Sequence, residues 1–257
     1  MSAFSARSVS WCAFAGILLL IAGLYGLYLD NPPVFDDANI FGTLTVFDYA
    51  QRLFSAQPRT FPYFTLGLAH VLSGGDLAWN RAFNGALHGA VILALYFFLL
   101  RALPTANIQD AERRRILAFV CLWMAINPVA VYGVGYLVQR TIVLATLLSL
   151  LSFTLYLRAQ QTPRPVDLLS SALLAWLAMM CKEHAILAPV AAVVLTPLCC
   201  RWTRASFARA TVYLAISLPG MLWVLWHRGA EVVGNAYEIY AGQVLSQVPG
   251  ADFPNNI

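Results

Sequence analysis

Four sets of polar side chains stand out from an otherwise apolar chain, and each has a spacing with chemical meaning. Asp36 and Asp37 lie side by side in the string Asn31-Pro32-Pro33-Val34-Phe35-Asp36-Asp37. Crowded carboxylates raise one another's pKa, so such a pair can serve as a general base or hold a divalent cation. The plainer alternative is a solvated loop in which one Asp caps a helix starting near Ala38. Lys182, Glu183 and His184 follow an apolar run over 168–180, and Glu183 is the only acidic residue between Asp167 and Glu231. A Lys-Glu pair there either faces a cavity between two helices or decorates a helix end at the interface. Arg81, Asn84 and His88 are three and four residues apart, which places them on one helix face. In a membrane helix such a stripe faces the interior or a water-filled cleft, or makes hydrogen bonds between helices. Arg140 follows Tyr136 and Gln139. Its planar guanidinium suits a phosphate, to which it can donate two parallel bonds, and it can equally snorkel to lipid headgroups.

The elements that must position these groups are membrane helices. Of 257 residues, 60% are hydrophobic and only 11% charged, with a mean hydropathy of +0.69. Soluble domains carry about a quarter charged residues, and disordered chains are richer still in charge, so both classes are excluded. Five cysteines fall in apolar stretches without CxxC spacing and read as small buried hydrophobes. The fold class expected is all-α, a polytopic helical membrane protein. Apolar segments at 11–29, 82–103, 116–134, 141–157, 167–181, 185–200 and 209–227 predict about seven spans. Residues 30–80 form a long first loop too broken by Pro, Gly and Asp to cross. It holds an amphipathic stretch at 44–54 and an apolar one at 61–72 suited to the membrane surface.

The positive-inside rule orients these spans. With the amino terminus in the cytoplasm, the inner side holds ten basic residues: Arg7, Arg101, Arg113, Arg114, Arg115, Arg158, Arg164, Arg201, Arg204 and Arg209. The outer side holds six, Arg52, Arg59, Arg81, Arg140, Lys182 and Arg228, scattered singly. The first loop and the turns near 130–140 and 181–185 therefore share the non-cytoplasmic face. GxGxxG and Walker patterns are absent, so no nucleotide site is expected.

These strings occur in the order found in one large family. The chain resembles the GT-C class of integral-membrane glycosyltransferases, and within it the bacterial relatives of the transmembrane, tetratricopeptide-containing O-mannosyltransferases. The resemblance rests on Phe35-Asp36-Asp37, Asn84 with His88, Asn127-Pro128 followed by Tyr136-Leu137-Val138-Gln139-Arg140, and Lys182-Glu183. It covers roughly residues 30–200. Asn127 stands where the family usually has His, and the family's Glu a few residues on is absent. Family members usually have about ten or more spans, so residues 1–257 are expected to be the amino-terminal part of a longer protein, or an abbreviated relative.

The resemblance implies sugar transfer from a polyprenyl-phosphate carrier to an acceptor hydroxyl, on a protein or an envelope glycan, at the non-cytoplasmic face of a bacterial inner membrane. Asp36, Asp37 and Glu183 are the candidate catalytic carboxylates, and the same three would hold a divalent cation (Mg or Mn) if one is used. Arg140, Lys182, Gln139, Tyr136, Asn84 and His88 are the candidate substrate-binding residues, and nucleic acid is not an expected partner. A transporter or flippase of a lipid-linked or small polar substrate, or a non-catalytic scaffold, is the alternative. A transporter gathers polar groups at the midplane on broken helices, whereas here they fall at the outer face.

Overall fold

A computed structural model describes residues 3–34, 37, 40–41, 57–103 and 108–233. Among these the secondary structure is helical throughout, with no strand. The helices are α1 (Ala3–Gly26), α2 (Thr60–Leu72), α3 (Leu77–Ala102), α4 (Asp110–Ile126), α5 (Ala130–Gly135), α6 (Arg140–Gln161), α7 (Pro165–Cys181), α8 (Ala188–Cys199) and α9 (Arg204–Val233). Short 3₁₀ turns, Leu137–Gln139 and Glu183–Leu187, lead into α6 and α8. The stretch expected at 44–54 and Asp36 itself lie outside the described residues.

Helices stand at every predicted apolar segment, but seven spans is more than their lengths support. Three are long and apolar enough to cross a membrane: Leu77–Ala102, Leu137–Gln161 and Arg204–Gly229. Ala15–Gly26, Pro165–Cys181 and Glu183–Cys199 are apolar but shorter. The segment expected at 116–134 is not one helix. Asn127 is extended, as a residue before proline prefers, and its Oδ1 accepts from the Val129 N–H at 3.0 Å, so α4 stops and α5 starts afresh. Its charged first turns leave α4 an apolar part of eleven residues, about 16 Å, against a hydrocarbon core of about 30 Å.

Local chemistry fixes the other ends. Gly74 and Gly75, at φ 65° and 95°, make a left-handed turn after α2, and Asp76 then caps α3 by accepting from Ala78 N–H at 2.8 Å. Pro165 opens α7 and Pro189 lies in the first turn of α8, where a missing N–H costs nothing. The backbone of α9 leaves helical geometry at Arg228 (φ −137°, ψ 21°).

Helix α6 is central, packed on α3, α7, α8 and α2. The α6–α7 seam is lined by small residues, Ala145, Ala172, Ala175 and Ala178, all essentially buried. Between them lies a polar lock: Ser152 Oγ donates to Ser171 O and Ser171 Oγ to Ser152 O, both at 2.8 Å, while the Tyr213 hydroxyl of α9 sits 3.0 Å from Ser152 Oγ. Tyr156 and Thr196 join α6 to α8 at 2.9 Å. Such pairs satisfy polar groups inside an apolar bundle. The outer faces stay apolar: only 28–39% of each candidate span is buried within the protein, and Phe119, Trp123, Leu173, Leu198, Leu222 and Trp226 are exposed. A soluble monomer rarely shows so much contiguous apolar surface, whereas a lipid-facing bundle requires it.

Charged side chains are left to the two ends. At one, Gln161 Nε2 donates to Arg101 O, Arg113 to Leu100 O, Arg209 Nε to Gln160 Oε1, and Arg158 pairs with Asp167 at 3.1 Å. The other end gathers the starts of α3 and α6, the close of α7, and α2.

Candidate functional site

Helix α2 lies at this second end and is held at its start and near its middle. Arg59 precedes it with φ 65° and ψ 3°, a left-handed conformation that costs a non-glycine residue roughly 1–2 kcal/mol. Its backbone N–H donates to Met180 O at 2.8 Å. From that position its guanidinium donates to both oxygens of Glu183, Nε to Oε2 at 3.1 Å and Nη2 to Oε1 at 2.7 Å. Lys182 Nζ lies 3.1 Å from the same Oε1. Burial alone would raise the Glu183 pKa. Hydrogen bonds from Arg59 and the backbone, with the charges of Arg59 and Lys182, outweigh it and hold the carboxyl at about 2. Glu183 is thus a fixed carboxylate at neutral pH.

Six residues along α2, about 9 Å by helical rise, the Thr65 carbonyl accepts from Arg140 Nη1 at 2.7 Å. Arg140 is fully buried. Its Nε donates to Asn84 Oδ1 at 2.6 Å, and its Nη2 to both the backbone oxygen and Oδ1 of Asn80, each at 3.0 Å. The Phe83 ring lies 4.7 Å from its Cζ. Among the described residues no acidic group lies within 4.0 Å of it, so this cation is held by carbonyls, amides and a ring alone. Asn84 is committed on both sides, donating also to Val134 O at 3.3 Å.

Asp37 completes the group. It is buried, and its two oxygens accept from consecutive backbone amides, Leu137 N–H to Oδ2 at 3.0 Å and Val138 N–H to Oδ1 at 2.9 Å. These are free donors of the turn that opens α6, where the helix dipole also favours an anion. Arg81 fixes the other side of the loop, donating to Leu29 O at 2.6 Å and Pro32 O at 3.0 Å.

The structure therefore joins Asp37, Asn84 and Arg140 at the turn that opens α6, and Lys182 and Glu183 at Arg59, with the first half of α2 between the two groups. Tyr136 and Gln139 flank them: Tyr136 is nearly buried, edge-on to Tyr132 at 5.5 Å, and Gln139 Nε2 donates to the Tyr132 hydroxyl at 2.9 Å. His88 stands apart, one turn deeper on α3 and edge-on to Tyr25 at 5.9 Å. Rather than standing open at a cavity mouth, Arg140 lies inside. Asp36, with any part in a metal site, falls outside the described residues. Among the described residues no three acidic, His or Cys groups converge as metal ligands.

Sequence reading missed Arg59 and Asn80. A single arginine in a polar loop carries no pattern, and its left-handed backbone leaves no trace in residue type. Asn80 was within reach, because it precedes Asn84 by one turn on the same face. Comparison of the chain with known protein families, curated proteins and solved structures finds no match.

Proposed function

We propose that this chain is a glycosyltransferase of inverting type that takes sugar from a polyprenyl-phosphate carrier on the non-cytoplasmic side of the membrane. One observation carries the reading: Asp37 and Asn84 are bonded at the turn that opens α6, where Arg140 bonds Asn84 and α2, and Arg59 at the start of α2 bonds Glu183 beside Lys182. Their order along the chain is what the resemblance rests on, and their meeting at one end of an apolar bundle is what such chemistry needs.

In this scheme an acceptor hydroxyl oxygen attacks the anomeric carbon while the bond from that carbon to the carrier phosphate breaks, and the phosphate leaves with the bonding electrons. A carboxylate of the Asp36-Asp37 pair takes the hydroxyl proton. Asp37 has both oxygens engaged by the backbone amides of Leu137 and Val138. The base role therefore falls to Asp36, with Asp37 holding the loop. Lys182 supplies positive charge for the departing phosphate, and the buried charge of Arg140 adds a fixed field from behind. Glu183, ionised by Arg59, orients Lys182 or the acceptor. His88 has no part in this scheme.

A transporter reading draws less support, because the buried charges Asp37 and Arg140 and the Lys182-Glu183 pair lie at one end of the bundle rather than midway along broken helices. The deciding experiment is transfer of radiolabelled sugar from synthetic polyprenyl-phosphate donors by the purified chain in liposomes. Transfer by wild type and its loss in Asp36→Asn support the reading, and uptake of the donor without transfer would favour transport.

A further inference from the structure

A pocket of about 230 Å³ lies apart from that cluster, between α3, the end of α4, α5 and the first turns of α6. Its walls are largely apolar, with Val91, Met124, Ile142 and Val143 prominent. His88 in its lining is 3% exposed; its ring meets the backbone of Met124 and Ala125, while its Nε2 makes no hydrogen bond within 3.5 Å. The other polar side chains there are engaged. Asn127 Oδ1 accepts from Val129, Thr146 Oγ1 donates to Ile142 O, and the Tyr132 hydroxyl accepts from Gln139. Native structures rarely leave such a nitrogen without a partner.

The character of the missing partner follows from the pocket. No Asp, Glu, Lys or Arg lines it, so a charged ligand would be desolvated without compensation. Its rim carries the exposed Val129 and Tyr132, so access is along an apolar surface. A dry cavity of about 150 Å³ already holds benzene, so this one takes a ring or a chain of about eight carbons. An imidazole nitrogen can donate to a carbonyl or hydroxyl oxygen, or accept from a hydroxyl, according to its tautomer. We infer that the pocket binds a neutral, lipid-soluble molecule of that size carrying one hydroxyl or carbonyl oxygen against His88 Nε2. The inference does not rest on sugar transfer.

The test uses the full chain in phosphatidylcholine nanodiscs and a photoreactive diazirine analogue of octanol, with labelled residues mapped by mass spectrometry. Saturable labelling is expected at Met124, Ile142 or Thr146, with octanol displacing the probe about fivefold or more better than octane, the worth of one hydrogen bond. Ile142→Trp should fill the pocket and abolish the label. His88→Phe should keep the label but lose the preference for octanol. If that variant does not fold, His88→Gln, which retains a donor, should keep the preference. Labelling that spreads equally to lipid-facing Leu222 and Leu225, or octane competing as well as octanol, would overturn the inference and leave the pocket to water or lipid tails.

Discussion

Arg59 and Glu183, 124 residues apart, meet in a two-pronged ion pair while the Arg59 backbone binds Met180 on the same side. One residue thereby ties the first loop to the close of α7 twice, and it does so from a strained backbone. Arg59→Lys keeps the charge but loses the fork. Both side chains are partly exposed, so the expected loss is about 1 kcal/mol, a fall of roughly 2–4 °C in Tm. Thermal unfolding in detergent measures it, and an unchanged Tm would mean that the pair holds nothing.

The same pair sets a pH signature. A carboxyl depressed from 4.5 to about 2 stabilises the fold fully above 4.5, and the contribution is lost as pH falls through about 2. Unfolding curves of wild type and Glu183→Gln should therefore differ by a constant amount from pH 8 to 5 and converge below that. A separation that stays unchanged from pH 8 down to 2 would show Glu183 to titrate as an ordinary carboxylate.

The two adjacent aspartates should separate by the kind of defect they cause. Asp37→Asn leaves one amide of the α6 turn facing another donor. It should cost about 1.5–3 kcal/mol in stability and expose the loop to protease. Asp36→Asn should leave stability alone and reduce sugar transfer by about 10²–10⁴. Transfer within a few-fold of wild type in Asp36→Asn sinks the assignment of the base.

Arg140 makes four bonds that a lysine cannot reproduce together. Arg140→Lys is expected to destabilise the bundle by about 3 kcal/mol, as removal of a partner from a buried charged network does. If its charge also serves the donor phosphate, donor use at permissive temperature should fall roughly 10-fold or more while acceptor affinity holds. Equal donor curves would restrict Arg140 to holding α2, α3 and α6 together.

Orientation is testable without any substrate. A reporter fused after Gly74 should lie outside and one after Arg114 inside, as the inner-side arginine bias requires. A cytoplasmic Gly74 fusion would put the cluster on the wrong face for a lipid-linked donor presented outside.

Composition and periodicity made the helical class legible, and the polar stripe Arg81, Asn84, His88 did mark an interior face. They could not divide its labours. Arg81 and Asn84 turned inward to backbone carbonyls and Arg140, while His88 lines a different pocket, because three- and four-residue spacing defines a face and not a neighbour. The Pro128 break was visible as a residue type, yet its consequence for the expected span at 116–134 depends on Asn127 choosing a cap over another helical turn. Arg59 was illegible because its partner lies so far along the chain.

The reciprocal serines of α6 and α7 have a mechanical consequence. Each hydroxyl grips the other helix's carbonyl with Tyr213 clamped behind, so neither helix can slide past its neighbour by even a turn without breaking two buried bonds together. The hairpin is a rigid post. Any opening at the cluster must therefore come from elements outside that post, and α2 can move only by releasing its bonds to Arg140, Met180 and Glu183. Spin labels on α6 and α7 should keep one narrow distance whatever is bound, while a label on α2 reports the movement.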